Sequence, residues 1–335
     1  MVRLRLVNEN DIDGVYGLAS HAPVGLTTLP CCYKSIQDKV EASVRASSNI
    51  CSFPNGDSFL FVLEEDGEII GCSAVFTKTG GKFPHWTYEI TDFNYYSKSF
   101  DKNIQSKYLT LKGVVNGPSE LGTLFLNKDK RVGNNGKLLS LGRFAFVAQH
   151  VASFEYEMIA ELRGMIVNGQ SPFWNDIGRR FMNCELEEAD KQVMIDKSFI
   201  KELMPRYPIY LNMLSKESQE VIGVADSKTV PAKILLEKEN FETINEIDIF
   251  EAGPILSCKT KNIRTVKDRR ISSYEVNRGS KLTGSDWLIS TCSGDFKVCV
   301  GKISVFNSKV KIEKSVVDAL ELGKNDKVSF SKLRG

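Results

Sequence analysis

The sequence predicts an α+β protein, in which a mixed central sheet flanked by helices precedes a small C-terminal β-barrel. Strand-like and helix-like patterns alternate through most of the chain, and one polar loop, 131–136, joins a buried strand directly to a helix. After Gly253-Pro254 the pattern changes to short strands and turns, with one short helix near 314–320. We therefore predict a larger domain over 1–255, with an inserted helical segment, and a small, barrel-like β-rich domain over 256–335.

The N-terminal part of the chain shows clear strand and helix patterns. Residues 3–7 alternate charged and apolar side chains, which is the period of a half-buried strand. The turn at 65–67, Glu-Asp-Gly, separates two apolar runs and predicts a hairpin. The segment 78–118 mixes aromatic and polar residues and is predicted as further strand and loop. The predicted elements are strands at 3–7, 59–63 and 69–76 and helices at 10–20 and 33–47.

The next part contains the most informative stretch of the sequence. Ser171-Pro172 is a capping serine followed by a first-turn proline, so a helix should begin there and end near Phe181. Asn240 tolerates the left-handed conformation that ends many helices. The predicted elements are strands at 120–126, 156–162 and 244–250 and helices at 137–150, 209–222 and 231–239.

The charge balance excludes most classes of nucleic-acid-binding protein. The 335 residues include 44 basic and 42 acidic side chains, a net charge of +2, whereas nucleic-acid binders normally concentrate basic residues on one face. The N-terminus lacks an apolar run of signal-peptide length, and no stretch approaches the ~18 apolar residues of a membrane helix. We therefore expect a cytoplasmic protein with no nucleic-acid or membrane partner.

The cysteines and histidines do not predict a metal site. The eight cysteines form no Cys-x-x-Cys pair, and the three histidines stand at no spacing typical of metal ligands. Reduced and mostly buried thiols are expected rather than disulfides, as is usual for proteins of the cytosol. No metal is therefore predicted.

The loop 131–136 is the first candidate site. Because it follows a strand and opens a helix, several backbone N–H groups and the positive end of the helix dipole meet there, which suits a pyrophosphate. The pattern resembles the Arg/Gln-x-x-Gly-x-Gly/Ala loop of the GCN5-related (GNAT) acyltransferases, with Arg131 and Gly136 in register. Asn134 stands where the first glycine is usual, and Asn can adopt positive φ. An ordinary turn is the alternative, because Gly and Asn mark turns in many proteins.

Further segments extend this resemblance to one family. Residues 231–241 resemble the GNAT segment Ala-x-x-Leu-Tyr-Glu-Lys-x-Gly-Phe, which lies along the cofactor. Longer stretches, in the same order and at nearly the same spacing, are similar to arginine N-succinyltransferases, and the β-rich tail also fits that family. These stretches are 25–30 (GLTTLP), 119–121 (SEL), 123–126 (TLFL), 160–164 (AELRG), 171–174 (SPFW), 202–205 (ELMP), 208–210 (PIY), 247–250 (IDIF) and 253–254 (GP).

The resemblance implies succinyl transfer from succinyl-CoA to the α-amine of L-arginine, the first step of a succinyl-dependent arginine degradation, with ornithine as a secondary acceptor. Succinyl-CoA is then a co-substrate, and no cofactor is bound permanently. The amine would attack the thioester directly in a ternary complex, so no nucleophilic protein side chain is required. Leu124 matches the family's succinyl-CoA-binding leucine, with its side chain in the core and its backbone making the contact. The implied cofactor-binding residues are Leu124, Leu126, Arg131, Asn134 and Gly136.

The sequence departs from the family at the position of a proton-donating histidine. Asp226 stands there, and Leu236 stands where many GNAT enzymes use a tyrosine. An aspartate with a pKa near ~3.9 is a poor proton donor at neutral pH, so Asp226 would orient a water, bind the cationic substrate or act as a base. His21 is the substitute donor that the sequence offers. Two rival functions follow: an acyltransferase for a different amine, and a CoA-binding partner subunit that does not catalyse.

An arginine substrate requires carboxylates for its guanidinium and a cation for its own carboxylate. The predicted substrate-binding residues are Glu120, Glu161, Arg163 and Asp248, with structural ion pairs as the alternative for each. A homodimer or a hetero-oligomer of related subunits is the expected assembly.

Overall fold

The strands of this protein join into one extended mixed sheet. The computed structural model describes residues 1–22, 25–306 and 309–334, which form fifteen hydrogen-bonded strands. The strands are β1 Arg3–Leu6, β2 Ser58–Glu65, β3 Glu68–Phe76, β4 Gly80–Ser97, β5 Lys102–Asn116, β6 Ser119–Leu126, β7 Glu157–Glu161, β8 Ile209–Tyr210, β9 Glu242–Asp248, β10 Pro254–Lys259, β11 Arg270–Val276, β12 Asp286–Thr291, β13 Lys297–Phe306, β14 Lys309–Ile312 and β15 Lys327–Lys332. Their order is β12-β15-β11-β14-β13-β1-β2-β3-β6-β7-β10-β9-β4-β5-β8. The β6–β7 and β11–β14 pairs are parallel.

Eleven α-helices within the described residues cover the two faces of this sheet. They are α1 Ile12–Ser20, α2 Tyr33–Ser48, α3 Asn135–Gln149, α4 Pro172–Asp176, α5 Gly178–Met182, α6 Leu186–Ile195, α7 Ser198–Leu203, α8 Lys216–Val221, α9 Val230–Glu237, α10 Arg264–Lys267 and α11 Lys314–Leu320. None of the helices in this part of the chain combines the length and the apolar composition needed to cross a membrane.

Three apolar clusters hold the helices against the central sheet. The helix α3 is buried along nearly its whole length, as Phe144 and Phe146 illustrate, and packs on one face beside α9. The helices α1 and α2 pack on the opposite face through residues such as Val15 and Val40. The inserted helices α4 to α8 form a third cluster with β4 and β9, in which Phe173 contacts the ring of Tyr88.

The C-terminal strands close into the predicted small barrel. Strand β12 pairs with both β13 and β15, so the five strands β11 to β15 form a ring around an apolar interior that includes Ile289 and Phe330. Strand β13 also pairs with β1, where Leu4 lies opposite Val298. The barrel is therefore joined to the central sheet through the pairing of β13 with β1. The predicted fold class, a GNAT-type α+β sheet with a small barrel, is confirmed.

Most predicted elements lie close to their observed bounds, but several details differ. The single helix predicted to end near Phe181 is the pair α4 and α5, and α6 and α7 match no predicted element. The predicted helix 209–222 is wrong for its first half, because Tyr210 pairs with Tyr108 as strand β8. The helix begins only after Ser215, whose hydroxyl accepts the N–H of Ser218. The predicted boundary at 255/256 falls inside β10, which pairs with both β7 and β9. The division into two domains stays a prediction.

Candidate active site

The two central strands β6 and β7 diverge, and the gap between them is the main feature of the candidate site. Their parallel pairing runs from Ser119 opposite Met158 to Leu121 opposite Ala160 and then ends. Beyond this point β6 continues along β3, while β7 continues along β10, where Ile255 lies opposite Glu161. A wedge-shaped opening therefore forms at the carboxyl ends of two adjacent strands, in the middle of the sheet.

A β-bulge in β6 lies at the start of this gap. Cys72 pairs with Phe125 and Ala74 with Gly122, so β6 contains one more residue than β3 over this interval. The extra residue is accommodated at Thr123, whose φ is +50°, an unusual value for a β-branched residue. The contacts around Thr123 maintain this conformation, because its N–H donates to the hydroxyl of Thr28 at 3.2 Å.

Arg143 of α3 stabilises the bulge from inside the core. Its side chain is only 2% exposed and donates to the carbonyls of Ala74 and Gly122, at 3.1 Å and 3.2 Å. Burial lowers the pKa of Arg143 to about 9, so the guanidinium stays charged at neutral pH. A charged donor thus binds the carbonyls that the bulge turns away from the regular ladder.

The backbone N–H groups of Leu124 and Leu126 face the gap. The N–H of Asn127 donates to Ile70 of β3, and successive residues of a strand point their backbone groups to opposite edges. The N–H groups of Leu126 and Leu124 therefore point toward β7, where no strand pairing satisfies them within the described ladder. The side chain of Leu124 packs against the main core, as predicted. These two N–H groups can bind a ligand that lies along β6.

The predicted pyrophosphate loop lies directly beyond the end of β6. Helix α3 begins at Asn135, so the N–H groups of Gly136 and Lys137 belong to its first turn and have no partner within the helix. Arg131 is exposed and donates from Nε to the carbonyl of Leu126 at 3.2 Å. The loop is therefore placed to receive an anion at the end of the gap.

Asn134 differs from the expectation for this loop. Its φ is −99°, and the positive φ of the loop, +54°, lies at Gly133 instead. The side-chain amide of Asn134 donates to Asp286 of β12 at 3.1 Å, and Lys302 of β13 binds the same carboxylate. Asn134 thereby connects the loop to the barrel. A cavity of about 330 Å³ lies along this contact, between the first turn of α3 and the barrel, and not over the acidic side chains described next.

Acidic side chains collect beside the gap on the face that α1 and α2 cover. Glu120 pairs with Ile159, two residues before Glu161, so both carboxylates emerge on the same face. His85 of β4 joins them, because its Nε2 lies 3.1 Å from a carboxylate oxygen of Glu161. The contact is an ion pair, because the neighbouring carboxylates keep the imidazole protonated at neutral pH. Asp248, opposite Thr87 in the next ladder, completes the cluster.

The close approach of these carboxyl groups shifts their pKa values in opposite directions. Burial and the charge of Glu161 raise the pKa of Glu120 above its usual range. Burial alone would raise the pKa of Glu161 too, but the charge of His85 lowers it. Burial lowers the pKa of His85, but the charges of Glu161 and Glu120 outweigh burial and raise it to about 9. At neutral pH the cluster thus contains a protonated histidine, an ionised Glu161 and a carboxyl of raised pKa at Glu120.

Asp248 is a half-buried carboxyl that also makes a structural contact. Its Oδ2 accepts the N–H groups of Phe250 and Glu251, at 3.0 Å and 2.5 Å, and so closes the turn before β10. Burial and the charge of Glu161 raise its pKa to about 8. The folded state thus binds this proton more tightly than the unfolded state. The stabilising contribution is complete below the unfolded pKa near ~3.9 and is lost as the pH rises through about 8.

Replacing Asp248 by Asn should therefore reduce the loss of stability at alkaline pH. The amide oxygen can accept the same two N–H groups, and no charge forms. Between pH 5 and pH 9 we expect the free energy of unfolding to fall by ~1–3 kcal/mol less in Asp248→Asn than in the wild type, as measured by urea unfolding. Asp92→Asn, at an exposed carboxylate on β4, is the matched control and should leave the difference unchanged. Equal pH dependence in Asp248→Asn and the wild type would contradict this account.

Arg163 lies on the same face, at the end of β7. Its Nε and Nη2 donate to the two carboxylate oxygens of Glu251, at 3.2 Å and 2.5 Å. Gly25, with φ +91°, lies against the guanidinium, and a Cβ there would stand 2.6 Å from Nη2. Burial and the charge of Glu251 raise the pKa of Asp190, on α6, to about 6, and the charge of the nearby Arg163 opposes this rise. Arg163 therefore lies where the loop between α1 and α2, the inserted helices and the gap meet.

Asp226 lies beside Arg163 at the open end of the gap. Its N–H donates to the Arg163 carbonyl at 2.9 Å, and the preceding Ala225 forms a bridge with Gly164. Its carboxylate accepts the N–H of Lys228 at 2.9 Å, which shapes the turn before α9. Asp226, which the sequence predicts as a catalytic residue, thus lies beside the gap, with one carboxylate oxygen engaged in its own turn.

Sequence reasoning missed His85 and the two lysines near it. The charges of Lys39, on α2, and Lys197, before α7, both act on Glu120. His85 lies two residues before Thr87, so both side chains point to the same face of β4. This spacing was the only local sequence signal that His85 belongs to the cluster. His21, the predicted substitute donor, is exposed, and its Nδ1 lies 2.9 Å from the Gly17 carbonyl at the end of α1. Within the described residues, no group of three or more His, Cys, Asp or Glu side chains is arranged to hold a metal ion.

Comparison with known proteins identifies the family. The family model of the arginine N-succinyltransferase beta subunit matches residues 2–265. The arginine N-succinyltransferases of Escherichia coli and Shigella flexneri are each 33% identical over 342 residues, covering 99% of this chain and 98% of theirs. Arginine/ornithine succinyltransferase subunit AI from Pseudomonas aeruginosa has a similar structure, with a TM-score of 0.89 and 28% identity over 100% of this chain and 99% of that one. This chain therefore belongs to the arginine N-succinyltransferase family of acyltransferases.

Proposed function

We propose that this chain transfers the succinyl group of succinyl-CoA to the α-amine of L-arginine. One observation carries the proposal: the gap between β6 and β7 opens directly beside the carboxylate cluster on the same sheet. Donors for a thioester and acidic groups for a cationic amino acid are therefore adjacent. The names of the relatives in Escherichia coli and Shigella flexneri support the same reaction.

The donor thioester would lie along β6. Its pyrophosphate would meet the N–H groups of Gly136 and Lys137, and its pantetheine arm would run back through the gap toward the bulge. The N–H groups of Leu124 and Leu126 would bind the arm and polarise the thioester carbonyl. One such fixed donor contributes ~3–4 kcal/mol of transition-state stabilisation in acyl-transfer enzymes. In the reaction, the amine nitrogen bonds to the thioester carbon, and the C–S bond breaks to release the CoA thiolate.

The acceptor would bind on the face covered by α1 and α2. Carboxylates bind guanidinium groups through paired, charge-assisted hydrogen bonds, and Glu161 is the ionised member of the cluster. Arg163, whose side chain is 31% exposed although Glu251 binds one edge of it, is the cation proposed for the acceptor carboxylate. Lys39 is the cation proposed for the distal carboxylate of the succinyl group, because its charge acts on Glu120 at the closed end of the gap.

The first test is CoA release from succinyl-CoA on addition of L-arginine. Ornithine, lysine and other amines should be assayed in parallel, with acetyl-CoA as the control donor. Chromatographic detection is required, because the eight protein thiols would react with a thiol dye. We expect release with arginine, a product of the mass of N-succinylarginine, and little turnover of acetyl-CoA.

Two other results would contradict the proposal in different ways. Turnover with another amine, but not with arginine, would change the acceptor. Saturable binding of succinyl-CoA without turnover of any amine would favour a non-catalytic partner subunit, and Asp226 at the position of the family's histidine is the feature that fits such a role. Asp226→His is then the variant to assay, since it restores a proton donor at that position.

We also propose that the protein acts in the cytoplasm as an oligomer, either a homodimer or a pair with a related subunit. The Pseudomonas aeruginosa relative is itself described as a subunit. Light scattering of the purified chain distinguishes the two assemblies, because a homodimer forms without a second gene product.

A further inference from the structure

The acidic cluster contains one carboxyl group that neither the sheet nor an ion pair accounts for. Glu161 is paired with His85, and Asp248 closes a turn. Glu120 is different, because it extends from β6 into a partly exposed position among these charges and forms neither kind of contact within the described residues. Its carboxyl is therefore placed to meet a substrate that enters the gap.

The position of Glu120 along β6 relates it to the reacting bond. Leu121 forms the last rung that joins β6 to β7, so Glu120 lies at the closed end of the gap. The bulge at Thr123 and the N–H of Leu124 follow immediately on the same strand. A CoA thioester that enters from the phosphate loop would therefore end with its acyl group next to Glu120. The attacking amine must come to the same point, from the face on which Glu120 and Glu161 emerge.

We propose that Glu120 accepts the proton that leaves the acceptor amine, and that His85 and Glu161 position it for this role. This inference rests on the proposed function, since it assigns the base for that reaction. Glu120 takes one proton from the α-ammonium group through water in the pocket, and the neutral amine then attacks. As the C–N bond forms and the C–S bond breaks, the electron pair of the broken bond leaves on sulfur, and the second proton of the nitrogen passes through water to the thiolate, so that CoA leaves as the thiol. Glu120 then releases its proton to solvent, which restores the carboxylate.

The charges around Glu120 fit the role of a base. Burial and Glu161 raise its pKa to about 7, against the opposing effects of His85, Lys197 and Lys39. Glu161 lies on β7, His85 on β4, Lys197 just before α7 and Lys39 on α2. Asp248, on β9, interacts with the same cluster through Glu161. A base is most effective when its pKa is near the working pH, and such catalysis typically contributes ~100- to 10,000-fold. Asp226, whose carboxylate caps its own turn, is not required for this step.

The test compares Glu120→Gln with the wild type and with Glu155→Gln. Glutamine keeps the size of the side chain and cannot accept the proton. Glu155 lies just before β7, its backbone N–H donates to Ser119, and its carboxylate is 3.9 Å from Lys78, so it is a matched control outside the cluster. We expect kcat/KM for arginine at pH 7 to fall by ~100-fold or more in Glu120→Gln, with unchanged succinyl-CoA binding. Glu155→Gln should remain within about 3-fold of the wild type.

Two further measurements separate a base from a binding residue. The rise of kcat/KM with pH, which a base with a pKa of about 7 produces in the wild type, should disappear in Glu120→Gln. In His85→Gln this rise should move to higher pH, because the cation that lowers the pKa of Glu120 is gone. L-Argininamide has a less basic α-amine than arginine, so the activity ratio of wild type to Glu120→Gln should be smaller with the amide.

The outcomes distinguish this proposal from the proposed function. A wild type that turns over no amine overturns both. An active wild type with Glu120→Gln within 3-fold of it, or with the pH dependence retained in Glu120→Gln, overturns only the assignment of the base. Equal losses with arginine and with argininamide also overturn it, because they show that Glu120 binds the acceptor. Far-UV circular dichroism and succinyl-CoA binding establish that each variant is folded.

Discussion

A glutamate in place of Gly136 is expected to weaken the binding of succinyl-CoA by ~100-fold or more while leaving the fold intact or slightly more stable. Gly136 is exposed, its φ is not positive, and an added Cβ would meet only a methyl of Leu126, at 4.0 Å. The position therefore tolerates a side chain. A carboxylate there would stand before the N–H groups proposed to bind the pyrophosphate and would repel its charge.

The stability and the affinity of this variant should change in opposite directions. An acidic side chain in the first turn of a helix contributes ~0.3–1 kcal/mol, and replacing glycine within a helix adds ~0.5–1 kcal/mol. Loss of two charge-assisted hydrogen bonds to the pyrophosphate costs ~3 kcal/mol or more, which exceeds a factor of 100 in the dissociation constant. Urea unfolding and calorimetric titration with CoA measure the two quantities.

Gly136→Gln is the matched control, because it has the same size without the charge. We expect its affinity to fall by ~10-fold or less. If Gly136→Glu binds succinyl-CoA as tightly as the wild type does, the pyrophosphate lies elsewhere and the first turn of α3 has no part in binding it.

Alanine in place of Gly253 is expected to destabilise the protein by ~3 kcal/mol or more. A Cβ at this position would stand 1.9 Å from the carbonyl oxygen of Leu162 and 2.6 Å from the backbone nitrogen of Gly164. Both atoms belong to the backbone, so neither can rotate away. The chain before β10 would have to separate from the end of β7, and the Arg163–Glu251 pair beside the gap would move with it.

The same substitution at Gly17 is the control. Gly17 lies on the exposed side of α1, and a Cβ there would contact nothing within 4 Å. Gly17→Ala should therefore stabilise the protein by ~0.5–1 kcal/mol, since alanine restricts the unfolded chain and favours the helix. Thermal or urea unfolding compares the two variants. A Gly253→Ala protein with the stability of the wild type would show that β7 and β10 are less tightly joined here than the structure indicates.

Sequence patterns were sufficient where the determining interactions are local. The Asp66-Gly67 turn has the two positive φ values of a tight hairpin, 50° and 88°, as its residue types predict. Asn240 ends α9 in the left-handed conformation, also as predicted, with a φ of +71°. Ser171 caps α4 by accepting the N–H of Trp174. In each case the residue type alone favours the observed backbone.

Contacts between distant residues account for what the sequence could not predict. The bulge at Thr123 depends on Thr28 and Arg143, neither of which is a neighbour in sequence. The ion pair of His85 with Glu161 joins two strands separated by 76 residues, so no local pattern contains it. Glu120 was predicted as a substrate ligand, but its place at the closed end of the gap became visible only in the β6–β7 ladder.

The pairing of β1 with β13 has a consequence for the synthesis of this protein. Arg3 lies opposite Cys299 on one side and Glu64 on the other, so β1 is an interior strand. During translation, Arg3 leaves the ribosome almost 300 residues before its second partner, a delay of roughly 15–60 s at ordinary elongation rates. Throughout that interval the nascent chain exposes an unpaired strand edge, which is a template for aggregation. Completion of the central sheet therefore waits for the last part of the chain, and a ribosome that stalls before β13 releases a product prone to aggregate.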